Sequence, residues 1–84
     1  DTVIAANNLE IYNVNSQKTI FINGVLNDVT KMNLFDLQGR RVFTKTLDKN
    51  NTSNKINVSN LNTGIYIALV QNDSLKQTKK IIIK

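Results

Sequence analysis

The chain has 84 residues, enough for one small domain, and 40% of them are apolar, a fraction too high for a disordered segment of such modest charge. It contains no cysteine and no histidine, which excludes disulfides and the usual zinc sites, and no run approaches the roughly 20 apolar residues that span a bilayer. The net charge of +5 allows an anionic partner such as nucleic acid, lipid head groups or polysaccharide, but the scattered lysines favour an ordinary solvated surface.

The first residues predict a flexible linker, because Val3–Asn8 is made of small residues that end in an asparagine pair. The start at Asp1 shows neither a methionine nor a signal peptide, which indicates a piece cut from a longer polypeptide. We therefore expect a linker from an upstream domain at residues 1–8 and a folded domain at residues 9–84.

Short segments rich in β-branched residues, separated by polar turns, predict seven β-strands. In chain order they span residues 9–14, 19–23, 31–36, 41–47, 55–59, 64–71 and 76–84. The segment 64–71 is nearly continuously apolar, which predicts a central strand. Because helical periodicity is missing and the strands recur about every 8–12 residues, we expect an all-β, Ig-like antiparallel β-sandwich.

The connections carry turn signals. Asp36 can accept a backbone N–H, and Gly39 stands where a type I turn is followed by a left-handed residue and a bulge, so a hairpin is expected there. Asn23-Gly24 and Asn27-Asp28 predict a looser turn, and residues 49–54 predict a polar loop with nothing to bury.

The stretch LNTGIY, residues 61–66, predicts a corner at the start of the central strand. In Ig-like sandwiches a tyrosine at this place hydrogen-bonds to the backbone a few residues upstream. We therefore expect a structural role for Tyr66, with Leu61 plugging the core beneath the turn. We also expect Gly64 to adopt a conformation forbidden to larger residues.

Catalysis is not expected, because histidine and cysteine are missing and Glu10 is the single glutamate. Asp28, Asp36, Asp48 and Asp73 fall in or beside predicted turns, where aspartate is favoured for backbone reasons. The glycines are too far apart for a phosphate-binding loop. The sequence thus predicts neither an enzyme nor a cofactor or metal site.

Nucleic-acid binding is also not expected. Arg40 and Arg41 lie near Phe43, and basic β domains can stack bases on exposed aromatic rings. However, a sandwich of this size needs aromatic residues inside, so Phe21, Phe35 and Phe43 are expected in the core. Ser74 and Thr2 lie in short patterns that resemble an O-glycosylation acceptor of Bacteroidetes, and whether they are modified stays open.

Three motifs together resemble the type A C-terminal sorting domain of the type IX (Por) secretion system of Bacteroidetes. They are FDLQGRRV with Asp36 and Gly39, LNTGIY with Leu61, Gly64 and Tyr66, and the terminal KKIIIK. Their order and spacing cover residues 9–84. One departure is the stretch 11–15, where many members have Tyr-Pro-Asn-Pro and this chain has no proline.

The resemblance implies an address label without catalysis. Such a domain follows a cargo protein that reaches the periplasm, where the type IX translocon recognises the domain and carries the cargo across the outer membrane. A sortase-like peptidase then usually removes the domain, and the cargo is secreted or joined to lipopolysaccharide at the cell surface.

The terminal strand is the predicted recognition element: Lys79, Lys80, Ile81, Ile82, Ile83 and Lys84. Alternate isoleucines are expected to face the core, while the lysines guard an edge that otherwise allows a dimer through strand pairing. The rival interpretation is an adhesive or carbohydrate-binding Ig-like module of a surface protein, which requires exposed aromatic residues on one face.

Overall fold

The computed structural model describes residues 9–26 and 28–84, so the predicted linker, Thr2 and Asn27 lie outside the described residues. Within the described part the chain forms seven strands and one short 3₁₀ helix. The strands are β1 (Glu10–Val14), β2 (Thr19–Asn23), β3 (Thr30–Phe35), β4 (Arg41–Leu47), β5 (Ser53–Asn57), β6 (Gly64–Gln71) and β7 (Lys76–Ile83), and the 3₁₀ helix (Asn15–Gln17) joins β1 to β2.

The strands form two antiparallel sheets, one ordered β1-β2-β5 and the other β4-β3-β6-β7. The predicted all-β, Ig-like sandwich is confirmed. The strand β6 lies between β3 and β7, as its continuous apolar character predicts. The stretch 11–15, which lacks the prolines of the family pattern, forms a regular strand followed by the 3₁₀ helix.

The core lies between the sheets and takes alternate residues of β2, β3, β5 and β6, because successive strand side chains point to opposite faces. On β2, Ile20 and Ile22 are buried, and on β6 the buried residues are Tyr66, Ala68 and Val70. Each large aliphatic side chain removed from water contributes about 1.5–3 kcal/mol. The other buried apolar residues are Leu9, Ile11, Leu26, Met32, Leu34, Leu47, Ile56, Val58, Ile81 and Ile83.

The prediction that the phenylalanines fill the core is wrong. Phe21, Phe35 and Phe43 are all half-buried, and only Phe43 packs against the core cluster from its border. Phe21 alternates with the buried Ile20 and Ile22, so the pleat of β2 directs it to the outer face. Aliphatic side chains, with Met32 and Tyr66, therefore fill the interior.

The polar loop predicted for residues 49–54 is too long. The strand β5 already begins at Ser53, and Asn54 is buried. The side chain of Asn54 is satisfied, because its Oδ1 accepts the backbone N–H of Asp48 at 3.1 Å. A polar residue with a fixed partner thus occupies a core-facing position that a hydrophobicity pattern assigns to a loop.

Candidate functional site

The first motif forms the predicted hairpin between β3 and β4. The N–H of Gly39 donates to the carbonyl of Asp36 at 3.0 Å, the N–H of Asp36 donates to the carbonyl of Arg40 at 2.9 Å, and Gly39 has φ +85°. This pattern is a type I turn followed by a left-handed glycine and a bulge. A second register shift follows between Leu34 and Phe35.

The side chain of Asp36 holds this turn together. Its Oδ1 accepts the backbone N–H groups of Gln38 at 2.9 Å and of Arg40 at 3.0 Å, and its Oδ2 accepts the Nε–H of Arg40 at 2.9 Å. The backbone N–H of Arg40, more than the guanidinium, lowers the pKa of the Asp36 carboxyl from its ordinary value. The aspartate is therefore ionised at neutral pH and acts as a turn cap.

The second motif forms the predicted tyrosine corner at the start of β6. The Tyr66 hydroxyl donates to the carbonyl of Asn62 at 2.7 Å, and the ring is 8% exposed. Leu61 packs against the core cluster, as predicted, and its N–H donates to the carbonyl of Val58 at 3.0 Å. Both residues thus fix the chain where it enters the central strand.

The expectation for Gly64 is wrong. The glycines of the described residues with positive φ are Gly24 and Gly39, whereas Gly64 is the first residue of a strand. A Cβ added at Gly64 meets the ring of Tyr66 at 3.6 Å, which is ordinary van der Waals contact. The corner is made by the tyrosine hydroxyl and the leucine, so it does not require a left-handed residue at position 64.

The two motifs meet at one surface groove, which sequence inspection missed. The groove has a volume of about 250 Å³ and is lined by Asp36, Leu37, Gln38, Arg40, Gly64, Ile65 and Tyr66. The motifs come together because β3 and β6 pair, with Phe35 opposite Ile67. The one signal that could have revealed this convergence is the pairing of the two strands, which neither motif specifies alone.

The terminal strand has two different faces. It pairs with β6 along its whole length, from Lys76 opposite Gln71 to Ile83 opposite Gly64. As predicted, alternate isoleucines are buried, since Ile81 and Ile83 are 1% and 2% exposed while Ile82 is 43% exposed. The predicted recognition residues thus separate into two core residues and a surface group of Lys79, Lys80, Ile82 and Lys84.

Hydrogen bonds join the free edge of β7 to Leu9 and to β1 of the other sheet. The amide of Gln77 accepts the N–H of Leu9 at 3.0 Å and donates to its carbonyl at 2.6 Å. The Nδ2 of Asn13 donates to the carbonyl of Ile82 at 3.0 Å. The Asn13 contact occupies a backbone carbonyl of β7 that an edge strand otherwise offers to another chain.

The last residue is held in the same way. The Oδ1 of Asn15 accepts the N–H of Lys84 at 3.0 Å, and the Nζ of Lys18 donates to its carbonyl at 3.1 Å. Lys18 has φ +52°, so the 3₁₀ helix ends in a left-handed residue, and its side chain reaches Lys84 just after β7. Asn13, Asn15 and Lys18 therefore anchor the end of the terminal strand.

The outer face of the three-stranded sheet carries a pair of aromatic rings. Tyr12 and Phe21 are cross-strand partners, and their rings stack with centroids 5.2 Å apart and an interplanar angle of 14°. Tyr12 is 38% exposed, and Lys55 lies opposite Phe21 on β5. The face could contact a flat ligand, and it also stabilises the sheet as a cross-strand pair.

No arrangement suited to a metal is found in residues 9–26 and 28–84, where His, Cys, Asp and Glu side chains do not form groups of three or more. Asp28 and Asp48 accept backbone N–H groups beside their own turns, as predicted for turn residues. In the 72–75 turn, Asn72 accepts the N–H of Ser74. None of the helical structure in these residues is long and apolar enough to cross a membrane.

Comparison with known families identifies the family to which the sandwich belongs. A family model described as "Secretion system C-terminal sorting domain" matches residues 10–84. No curated protein matches the chain. The matched region runs from β1 through the terminal strand, and it contains both turn motifs and the groove between them. The chain therefore belongs to the family of C-terminal sorting domains of the type IX secretion system.

Proposed function

We propose that this domain is the signal by which the type IX translocon carries an upstream cargo protein from the periplasm across the outer membrane. The match of the sorting-domain family over residues 10–84 carries the proposal. The domain binds the translocon and performs no chemistry of its own. The cargo then appears at the cell surface or in the medium.

The terminal residues 79–84 are the proposed contact with the translocon. Ile81 and Ile83 support this role from within the core, where they hold the strand, and Lys79, Lys80, Ile82 and Lys84 present side chains to solvent. Because β7 pairs with β6 over its full length, recognition involves the folded sandwich. A sorting signal in this form is available only after the domain has folded.

The linker at residues 1–8 is the proposed place where a sortase-like peptidase separates the domain from its cargo. A cut there releases the sandwich intact, whereas a cut inside residues 10–83 breaks a strand or a tight turn. The cargo is then secreted or joined to lipopolysaccharide. Mass spectrometry of the mature cargo locates its last residue, and a cut inside the sandwich contradicts this proposal.

A transplant tests the sorting function. Residues 1–84 are fused to a periplasmic fluorescent reporter in a bacterium with a type IX system, and the medium and cell surface are assayed beside a translocon-deficient strain. We expect export that depends on the translocon. Retention of a folded fusion in the periplasm of the competent strain would overturn the sorting function.

The stacked Tyr12 and Phe21 favour one second candidate, an adhesive or carbohydrate-binding module. Aromatic faces stack on sugar rings, and Glu10, Asn23 and Lys55 provide polar groups around the pair on the same sheet. A glycan array separates the two candidates. Saturable glycan binding that Tyr12→Ala abolishes, together with failed export, would favour the second.

A further inference from the structure

The outer face of the terminal strand is free to meet a partner in the described structure. Its inner side is buried through Ile81 and Ile83, and hydrogen bonds from Asn13 and Asn15 occupy backbone groups at its edge. Lys80 and Ile82 alternate with the buried isoleucines and therefore lie on the outer face of the four-stranded sheet. Recognition of the strand thus continues onto that outer face.

The outer face carries a cluster of exposed aliphatic side chains beside Ile82. Ile65 is the direct cross-strand partner of Ile82, and the two are 39% and 43% exposed. Ile65 also lines the groove together with Leu37, which is 70% exposed at the tip of the hairpin turn. Contiguous exposed apolar side chains at a groove mark interaction surfaces.

We propose that this outer patch, defined as Leu37, Ile65 and Ile82 with Lys80 at its border, docks a protein of the translocon. The inference rests on the proposed sorting function and specifies the surface and the partner. The partner inserts an aliphatic side chain into the groove and presents carboxylates around it. The groove is thereby the centre of the contact, and the terminal strand lies beside it through Ile82, the cross-strand partner of Ile65.

Charge at the border of the patch determines the chemistry of the partner. Lys80 lies opposite Ile67 on the same outer face, and Arg40 borders the groove with a side chain 73% exposed, although its Nε binds Asp36. Cationic groups therefore flank the apolar centre on two sides, and complementary carboxylates on the partner orient the encounter.

The strand itself provides a matched control for the charge. Lys76 pairs with Gln71 at the other end of β7 from Ile82, outside residues 79–84, and both Lys76 and Lys80 are exposed. The two substitutions Lys80→Glu and Lys76→Glu change the net charge equally in one strand. A general charge effect changes both variants alike, whereas a contact through the outer patch separates them.

The experiment uses the reporter fusion of residues 1–84 with Leu37→Ser, Ile65→Thr, Ile82→Thr and Lys80→Glu. The controls are Lys76→Glu, at an exposed lysine of β7 outside residues 79–84, and Val29→Thr, at a 57% exposed valine before β3, at the other end of that strand from the hairpin turn. We expect each patch variant to lower translocon-dependent export at least about fivefold, because centrally placed contacts dominate an interface. The controls export like the wild type.

Melting temperatures of all fusions separate docking from folding. Leu37→Ser changes a turn side chain that is largely in solvent, so it tests the patch even if a strand variant is destabilised. Normal export of the folded Leu37→Ser and Ile65→Thr variants, while the wild type depends on the translocon, overturns this inference and leaves the sorting function intact. If the folded wild-type fusion is not exported, both this inference and the sorting function are overturned.

A membrane partner gives a different result. Phosphatidylglycerol vesicles provide the test. If they bind the wild-type fusion but not the patch variants, and the patch variants are exported normally, the docking of a translocon protein is overturned. Direct binding of the fusion to the purified translocon, weakened by Lys80→Glu and not by Lys76→Glu, supports it.

Discussion

Tyr66→Phe tests the corner that holds the start of the central strand. The substitution removes the hydroxyl that donates to the carbonyl of Asn62 at 2.7 Å and keeps the ring, which is 8% exposed. The change therefore removes one hydrogen bond and no core volume. Tyr12→Phe is the matched control, because its hydroxyl is 3.5 Å from Asn23 Nδ2, too long for a strong bond, and its ring is 38% exposed.

The expected loss follows from the surroundings of the acceptor. Asn62 is exposed, so its carbonyl regains water when the hydroxyl is removed and no buried acceptor is left unpaired. The loss in unfolding free energy is then the net value of one hydrogen bond, about 1 kcal/mol. For a domain of this size, that loss lowers the melting temperature by about 4–8 °C.

Thermal and urea unfolding of both variants, followed by circular dichroism, measure the difference. We expect Tyr66→Phe to shift the midpoint to lower temperature without changing the urea m-value, because the folded surface is unchanged. Tyr12→Phe should match the wild type. Equal melting temperatures for Tyr66→Phe and the wild type would refute the corner as a source of stability.

Three further predictions concern the turns and the anchor of the terminal strand. Gly39→Ala should lower the unfolding free energy by about 1–2 kcal/mol, because φ at this residue is +85°. Gly64→Ala should leave the unfolding free energy unchanged or raise it by up to about 1 kcal/mol, because the added Cβ makes only ordinary contacts. Urea titration distinguishes the two variants. Ionised Asp36 has a lowered pKa, so its stabilisation is present above the ordinary value of 3.8 and is lost as the pH falls through the lowered pKa. The melting temperature of Asp36→Asn should therefore fall below that of the wild type at neutral pH and approach it in acid; a constant difference would contradict this. Asn15→Ala should speed amide exchange at Lys84, whose N–H it binds, while Asn50→Ala in the exposed loop should not.

The fold is predictable from sequence because most of its strands are apolar or β-branched segments that end at recognisable turn residues. The bounds of β2, β4 and β6 match the predicted segments, since each is enclosed by glycine, asparagine or aspartate turns. The start of β5 is misplaced because a polar residue there, Asn54, has a fixed partner. Hydrophobic patterns cannot identify a buried amide whose partner lies elsewhere in the chain.

The site is less predictable, because it depends on contacts between distant segments. The turn chemistry of Asp36 and the corner of Tyr66 are local, and both are confirmed. The groove requires the pairing of β3 with β6, and the anchoring of Lys84 requires Asn15, 69 residues away. The expectation for Gly64 failed because a glycine before a tyrosine corner resembles a left-handed turn residue in sequence alone.

The structure also determines which experiments on residues 79–84 are informative. Deleting them removes Ile81 and Ile83, each of which is almost fully buried and contributes about 1.5–3 kcal/mol. A domain of this length has a total stability of about 4–13 kcal/mol, so the deletion can unfold the protein whether or not a partner reads the strand. Loss of export after such a deletion therefore does not identify a recognition element. Substitutions at Lys80 and Ile82 leave the core intact, and recognition by the translocon is measured separately from folding at those positions.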